Sequence, residues 1–335
     1  MRLRVFANKA LNHNRKGKFP DEKIIRSSRT EPEDTKKRRD TGKSNEKRWG
    51  RSLKRNTLIS VRVAKNSVRK MFRSTSFYVL LFFTLVFWYL FGHNIKELAA
   101  DLGYGVPPYL LPHFFGSGTF RVQGRLLLVL LTCQAPFLSE DRLFTVQRTG
   151  RMAWCIGQML YILLANVIFL AVMLAAQVLT LLPHVSFGSR WGTVIRTAAE
   201  NTTLLYSYAG YGTVKSAIIS GMTPAEAMGK QMLLCILLGT MVGMASFLIN
   251  GITRKHIAAV IMVGAVLAVD YMGEIDGYLG TSLLRLNPFA WVSLTEYLNG
   301  TYDFAVNVWK MAAICAVLMA ACIWCTKKGW IRVAE

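Results

Sequence analysis

Acidic residues are scarce in this chain: 19 Asp and Glu stand against 41 Lys and Arg in 335 residues, a formal net charge of +22. Cysteine is also sparse, and all six (Cys133, Cys155, Cys235, Cys315, Cys322, Cys325) fall within or at the edge of apolar stretches, where a free thiol behaves as a small hydrophobe. A disulfide framework is not expected. Cys322-x-x-Cys325 is the one close pair and has no second pair to complete a metal site. No Gly-x-x-x-x-Gly-Lys-[Ser/Thr] loop occurs, since Gly42-Lys43-Ser44 lacks the upstream glycine, so the chain is not expected to hydrolyse nucleotide by itself. His93, His113, His184 and His256 are scattered, and only His93 has a carboxylate at helical spacing, Glu97. One such pair is commonly a surface contact, and a catalytic assembly stays open but unsupported. Ionisable groups inside the apolar stretches reduce to Asp270 and Lys310, fewer than an ion-coupled carrier usually needs. Asp270 is expected at an interface with Glu274 and Asp276, and Lys310 is expected to snorkel. No catalytic residue, metal ligand or cofactor is expected on this chain. Nor is a secretory signal expected at its start, because Met1-Arg2-Leu3-Arg4 runs into charge and no long apolar run precedes Phe77.

What is present divides into two parts. Met1 to Arg73 holds 24 of the 41 Lys and Arg and 7 of the 19 acids, so it carries +17 of the +22. The pI of 10.0 describes this arm. Residues 1–52 are charged and poor in large apolar side chains, too little to offset ordering entropy, and are expected to be a disordered basic cytoplasmic arm. Three roles stay open for it: attraction to anionic headgroups at roughly 1 kcal/mol per held Lys or Arg, a solvated topology signal, and, least favoured, nonspecific nucleic-acid contact. Over residues 56–73, Leu58, Val61, Ala64, Val68, Met71 and Phe72 recur at mostly three- and four-residue steps, while Arg62, Lys65, Arg69, Lys70 and Arg73 take other positions. This spacing predicts an amphipathic basic helix along the membrane interface.

The remainder, 53–335, reads as an all-α transmembrane domain, in a chain that is 52% hydrophobic with a mean hydropathy of +0.30. About twenty apolar residues cross roughly 30 Å of hydrocarbon, and six stretches are candidates: 77–91, 126–138, 152–182, 232–249, 257–272 and 308–325. The second is short and preceded by Arg121 and Arg125. It is retained because six crossings from a cytoplasmic N-terminus put every basic loop inside: Arg142, Arg148 and Arg151; Arg254 and Lys255; Lys327, Lys328 and Arg332. The expected location is therefore a cell membrane, multi-pass, with both termini cytoplasmic. Three aromatic-rich connections fall outside. In the second, Thr223-Pro224-Ala225-Glu226 forms a capping box with the favoured proline, so the fourth helix should begin before the bilayer. The third, from Gly273 to Asn307, mixes breakers with Leu283, Leu284, Leu286, Phe289 and Trp291. It suits a re-entrant hairpin or a surface loop with two short helices. Asn201-Thr202-Thr203 and Asn299-Gly300-Thr301 are glycosylation sequons on the expected outside.

After the second stretch the chain reads Ser139-Glu140-Asp141-Arg142-Leu143-Phe144-Thr145-Val146-Gln147-Arg148-Thr149-Gly150-Arg151-Met152-Ala153-Trp154, then a long apolar helix. An acid, a short helix, a small-residue/basic turn and an aromatic opening the third span resemble the type-2 permeases of ATP-binding-cassette exporters. The likeness covers roughly Leu53 to Glu335, mostly through order and spacing. The outside segment from Pro183 to Lys230 is longer than that pattern, and the basic arm is not part of it. The resemblance implies an export permease subunit that moves substrate outward, paired with a second permease and driven by separate nucleotide-binding ATPase subunits. It also implies a coupling role for Glu140, Arg142, Leu143, Phe144, Arg148 and Arg151. The rival reading is a non-transporting membrane scaffold whose basic arm binds anionic lipid or acidic partners. A lipid-modifying enzyme would want clustered acids or histidines that the sequence does not supply.

Overall fold

The computed structural model describes residues 56–132, 142–208, 210–253, 257–274, 285 and 287–331; the expected disordered arm lies outside them. Among these residues the regular structure is helical, with a single isolated bridge between Val106 and Val185. The helices are α1 (56–71), α2 (Thr75–Leu102), α3 (Leu111–Gly116), α4 (Gly118–Thr132), α5 (Arg142–Thr149), α6 (Arg151–Leu181), α7 (Gly192–Glu200), α8 (Thr202–Leu205), α9 (Ser216–Gly221), α10 (Pro224–Thr253), α11 (Ala258–Glu274), α12 (Leu294–Leu298) and α13 (Phe304–Lys328).

Four of them, α2, α6, α10 and α13, are long and apolar enough to cross a membrane. At a rise of 1.5 Å per residue, the 15 residues of α4 and the 17 of α11 reach only about 22 and 25 Å. The 126–138 stretch is corrected: its helix starts earlier, at Gly118, because Gly118 to Arg125 continues the same ladder, and residues 133–138 lie outside those described. α2, α10 and α13 overrun their apolar stretches, while α6 matches its own to within a residue, because a helix ends at a cap, not where hydropathy falls. Thus α2 runs on through His93, Asn94 and Glu97 until Gly103, in the left-handed region at φ 66°, returns its N–H to Ala100 O. At its start Ser74 Oγ accepts from Phe77 N–H at 3.3 Å. The predicted box opens α10, with Pro224 in its first turn and Thr223 Oγ1 accepting from Glu226 N–H at 3.4 Å. Asp303 caps α13 through Val306 N–H at 2.9 Å, and Gly329 at φ 74° closes it.

Glycine seats set the packing. On α10, Gly239 and Gly243 stand four residues apart. A Cβ at Gly239 would strike Asn166 Oδ1 of α6; one at Gly243 would strike Ile162 of α6 and come within 3.3 Å of Thr132 on α4. Where lipid replaces water, such close approach is the main source of helix association. Gly92 of α2 seats Thr180 of α6, so these two run the same way. Cys315 Sγ and Cys322 Sγ of α13 lie 3.7 Å from Leu237 O and Met244 O, so α13 runs with α10. α4 descends from an aromatic cluster, where Phe120 meets Phe91 at 5.1 Å and Trp88 stacks on Phe114 at 4.8 Å, to Leu130 and Leu131 beside Met71 and Phe77.

At the end where α2 and α6 finish, the long 183–223 connection is built in, with α7, α8 and α9. Tyr211 N–H donates to Leu90 O at 3.0 Å and Asn94 Nδ2 to Gly212 O at 2.9 Å. A Cβ at Gly212 would overlap Phe91 O, so only glycine fits. His113 of α3 is fully buried; its Nδ1 accepts from Lys215 N–H at 3.2 Å and its ring meets Trp191 edge-on at 5.2 Å. Burial, helped by the Lys215 charge, lowers its pKa from 6.5 to about 3 and keeps the imidazole neutral. Of the two forms open for the 273–307 connection, the described part is two short helical pieces, 290–292 and α12, and it is enclosed. Ala290, Trp291, Val292 and Leu294 are buried, and Gln231 Nε2 of α10 donates to Val292 O at 3.1 Å.

Candidate functional site: a basic end where α1, α5, α6 and α13 meet

The positions of α1 that face protein are Ser60, Val63, Ala64, Ser67 and Met71, a three- and four-residue stripe. They lie against the start of α6. Ser60 Oγ donates to Ala153 O at 2.9 Å, Gln158 Nε2 donates to Ser67 Oγ at 3.2 Å, and a Cβ at Gly157 would meet Val63 at 2.7 Å. Of the predicted apolar face, only Ala64 and Met71 are on this stripe. Leu58, Val61 and Phe72 are 61%, 52% and 43% exposed. The reason is size: Ser, Ala and Gly let two backbones approach, and bulky side chains would hold them apart. α1 therefore turns a small-residue face to α6 and leaves one mixed face exposed, on which Leu58, Val61 and Phe72 interleave with Arg62, Lys65, Arg69 and the following Arg73.

One residue, Gly150 at φ 82°, joins α5 to α6. Its N–H donates to Val146 O at 2.8 Å, its carbonyl accepts from Trp154 N–H at 3.1 Å, and Thr149 Oγ1 donates to Thr145 O at 2.7 Å. The corner is thus closed on both sides by hydrogen bonds at a φ that suits glycine. Of the candidate coupling residues, Arg142, Leu143 and Phe144 form the first turn of α5, while Glu140 lies outside the described residues. Val146 is buried, and Arg148 and Arg151 are exposed. Arg151 Nη1 sits 3.4 Å from where a Cβ would stand at Gly329, so it lies against the end of α13. Trp154, the aromatic of the motif, is buried against Phe247 of α10 with ring centroids 5.7 Å apart.

The same end gathers the close of α13. Thr326 Oγ1 lies 3.3 Å from Cys155 Sγ and donates to Cys322 O at 2.7 Å, and Ile331 is buried over Gly251 of α10. Lys327 and Lys328 are exposed beside it. Every charged side chain described at this end is therefore a cation. The described acids of the helices, Glu97, Asp101, Glu200, Glu226 and Glu296, belong to the opposite end. A surface of one sign favours anionic headgroups or the acidic face of a partner. Among the described residues no three His, Cys, Asp or Glu stand close enough to hold a metal, and the five described cysteines are free.

A second feature is an apolar cavity of about 500 Å³ between α10, α11 and α13, lined by Met241, Met262, Ala265, Ile314, Leu318 and Phe289 among others. The sequence reading gave no weight to the amides buried in the long helices: Asn94, Gln158, Asn166, Gln177, Gln231, Asn250 and Asn307. Their signal was their uncharged polarity within apolar stretches. Asn250 Oδ1, for example, accepts from Ala258 N–H at 3.0 Å and joins α10 to α11. Compared with known proteins, the chain matches no family model, no curated protein and no solved structure.

Proposed function

We propose that the protein is a membrane-spanning permease subunit of an ATP-driven exporter, working with a separate nucleotide-binding ATPase and a second permease subunit. The observation that carries this reading is the glycine corner. α5 is an eight-residue helix hinged by Gly150 alone to α6, a helix of 31 residues that runs the length of the bundle and seats on α2 and α10. A force on Arg148 or Arg151 would be delivered directly to α6, as a lever requires. Support also comes from direction: α2, α4, α6, α10, α11 and α13 alternate, which suits six crossings with α4 and α11 as the short ones. The positive-inside rule then assigns the basic end, and with it both termini, to the cytosol. In this arrangement α1 lies at the interface, where Leu58, Val61 and Phe72 dip toward lipid and the interleaved Arg62, Lys65, Arg69 and Arg73 snorkel to headgroups, with half-buried Lys70 at their flank. Nucleotide chemistry belongs to the partner, and this chain needs no cofactor of its own.

The mixed apolar and basic exposed face of α1 also favours a second reading, a membrane scaffold that holds anionic lipid and transports nothing. Purification from native membranes separates the two. The exporter reading expects an ATPase subunit to co-purify, its recovery falling at least tenfold in Arg148→Glu/Arg151→Glu and staying unchanged in Lys65→Glu/Arg69→Glu. Absence of an ATPase from the wild-type preparation, or its full retention by the Arg148/Arg151 variant, rejects the exporter reading and leaves the scaffold.

A further inference from the structure

At the end of the bundle opposite the basic one, the start of α7 and the junction of α9 with α10 flank an open polar cavity of about 430 Å³. Arg190 and Arg196 line it, with the hydroxyl-bearing Ser189, Ser220 and Thr223. Both arginines are exposed, and neither forms an ion pair among the described residues. Glu226, the acid in the lining, is already held by Lys230, with Oε1 and Nζ 2.7 Å apart. Two guanidiniums therefore face the cavity without a matching carboxylate. Each offers a planar fork of N–H donors suited to an oxyanion. The start of the 30-residue α10 adds its positive end.

The walls are fixed in advance. Trp191, beside Arg190, is buried, and its Nε1 donates to Met222 O at 2.9 Å, tying the two sides together. Gly192 follows at φ 74°, where a Cβ would stand 2.8 Å from Pro107. Arg196 leaves α7 opposite Val194, Ile195 and Ala198, all buried, so packing fixes the side of the helix from which it extends.

We infer that this cavity binds a phosphate monoester. Two facing guanidiniums match the charge of such a group, about −1.5 to −2 near pH 7, better than the single charge of a carboxylate. The volume lies in the range of small-ligand pockets, roughly 300 to 1,000 Å³, and leaves room for what the phosphate is attached to. That attachment is either a soluble molecule or the glycerol of a phosphatidate lipid. The inference stands apart from the exporter reading, since it uses neither the corner nor the basic end.

The test uses the full chain in phosphatidylcholine nanodiscs. Inorganic phosphate is titrated by calorimetry, and retention of phosphatidate added to the discs is measured by mass spectrometry after purification. Each of Arg190→Gln and Arg196→Gln is expected to weaken binding roughly tenfold, the loss of one charge-assisted contact, and the double variant to abolish it. Lys310→Gln, an exposed cation on α13 outside the lining, leaves it unchanged. Saturable binding of inorganic phosphate identifies a soluble source, and retention of phosphatidate alone a lipid one; either supports the site if the double variant loses it. No saturable binding of either probe, or binding by the double variant within twofold of wild type, overturns it.

Discussion

α10 and α13 are near twins in composition, two apolar helices of 30 and 25 residues lying side by side, yet they live differently. In its most apolar stretch α10 has 61% of residues buried, α13 only 17%. α10 carries glycines at 239, 243 and 251, each with a neighbour's side chain seated on it, and amides at 231 and 250 that reach adjacent segments. The small residues of α13 are alanines, and Ala313, Ala316 and Ala320 remain exposed beside Trp309, Val317 and Trp324. Hydropathy therefore reports whether a helix tolerates lipid. The placement of glycine and amides decides whether protein surrounds it.

The largest effect expected from breaking this contrast is at Gly239. Leucine there would collide with Asn166 on α6, and the glycine four residues on leaves no slack, because Ile162 and Thr132 fill its space. Overpacking of this kind costs about 1 to 3 kcal/mol and occasionally more. Gly239→Leu should lower the thermal unfolding midpoint in detergent sharply and reduce recovery of folded protein. Ala316→Leu, a comparable enlargement on the exposed side of α13, should leave both measurements near wild type. Equal losses at the two sites would remove the distinction between the helices.

That distinction was only partly legible in the amino-acid order. The four long helices follow from apolar runs, and the start of α10 from Thr223-Pro224, whose chemistry is local, whereas the ends at Gly103 and Gly329 were not read. Which face of each helix is enclosed was not legible, because it depends on partners far along the chain. In α1 the regular spacing of Leu58, Val61 and Phe72 pointed to one apolar face, yet contact with α6 falls to Ser60, Ala64 and Ser67, residues that weigh little in hydropathy. The basic end was legible as charge runs. That Arg148 and Arg151 are exposed there while Val146 and Trp154 are buried depended on the Gly150 corner. The cavity with Arg190 and Arg196 went unread because its walls come from segments about thirty residues apart.

The enclosure of α10 extends to its first turns through α3, and there it is pH-sensitive in a way α13 is not. His113 has its pKa lowered from 6.5 to about 3 by burial first and the Lys215 charge second. The unfolded chain binds a proton that the folded chain refuses, so the stability is full above pH 6.5 and is lost as pH falls toward 3. The slope reaches about 1.4 kcal/mol per pH unit, or about 2 kcal/mol between pH 6.5 and 5. His113→Gln keeps an acceptor for Lys215 N–H without a titrating ring. Thermal unfolding across this interval should therefore fall steeply in the wild type and be flatter by that amount in the variant. Parallel slopes would show that other groups carry the acid response.

The smallest effect is expected on the exposed side of α13, and it is informative because it is small. Val317 is 68% exposed, so Val317→Ala removes little packing and should change unfolding by about 0.5 kcal/mol or less. Leu238→Ala, at a fully buried position of α10, should cost about 2 to 5 kcal/mol. Both are to be measured at low protein concentration, where a single copy unfolds alone. If the cost of Val317→Ala grows as concentration rises, then binding linked to folding is at work and that side of α13 is covered by a second copy. If the cost stays flat over the whole range, lipid or detergent is its ordinary neighbour, and the difference between the two helices belongs to the single chain.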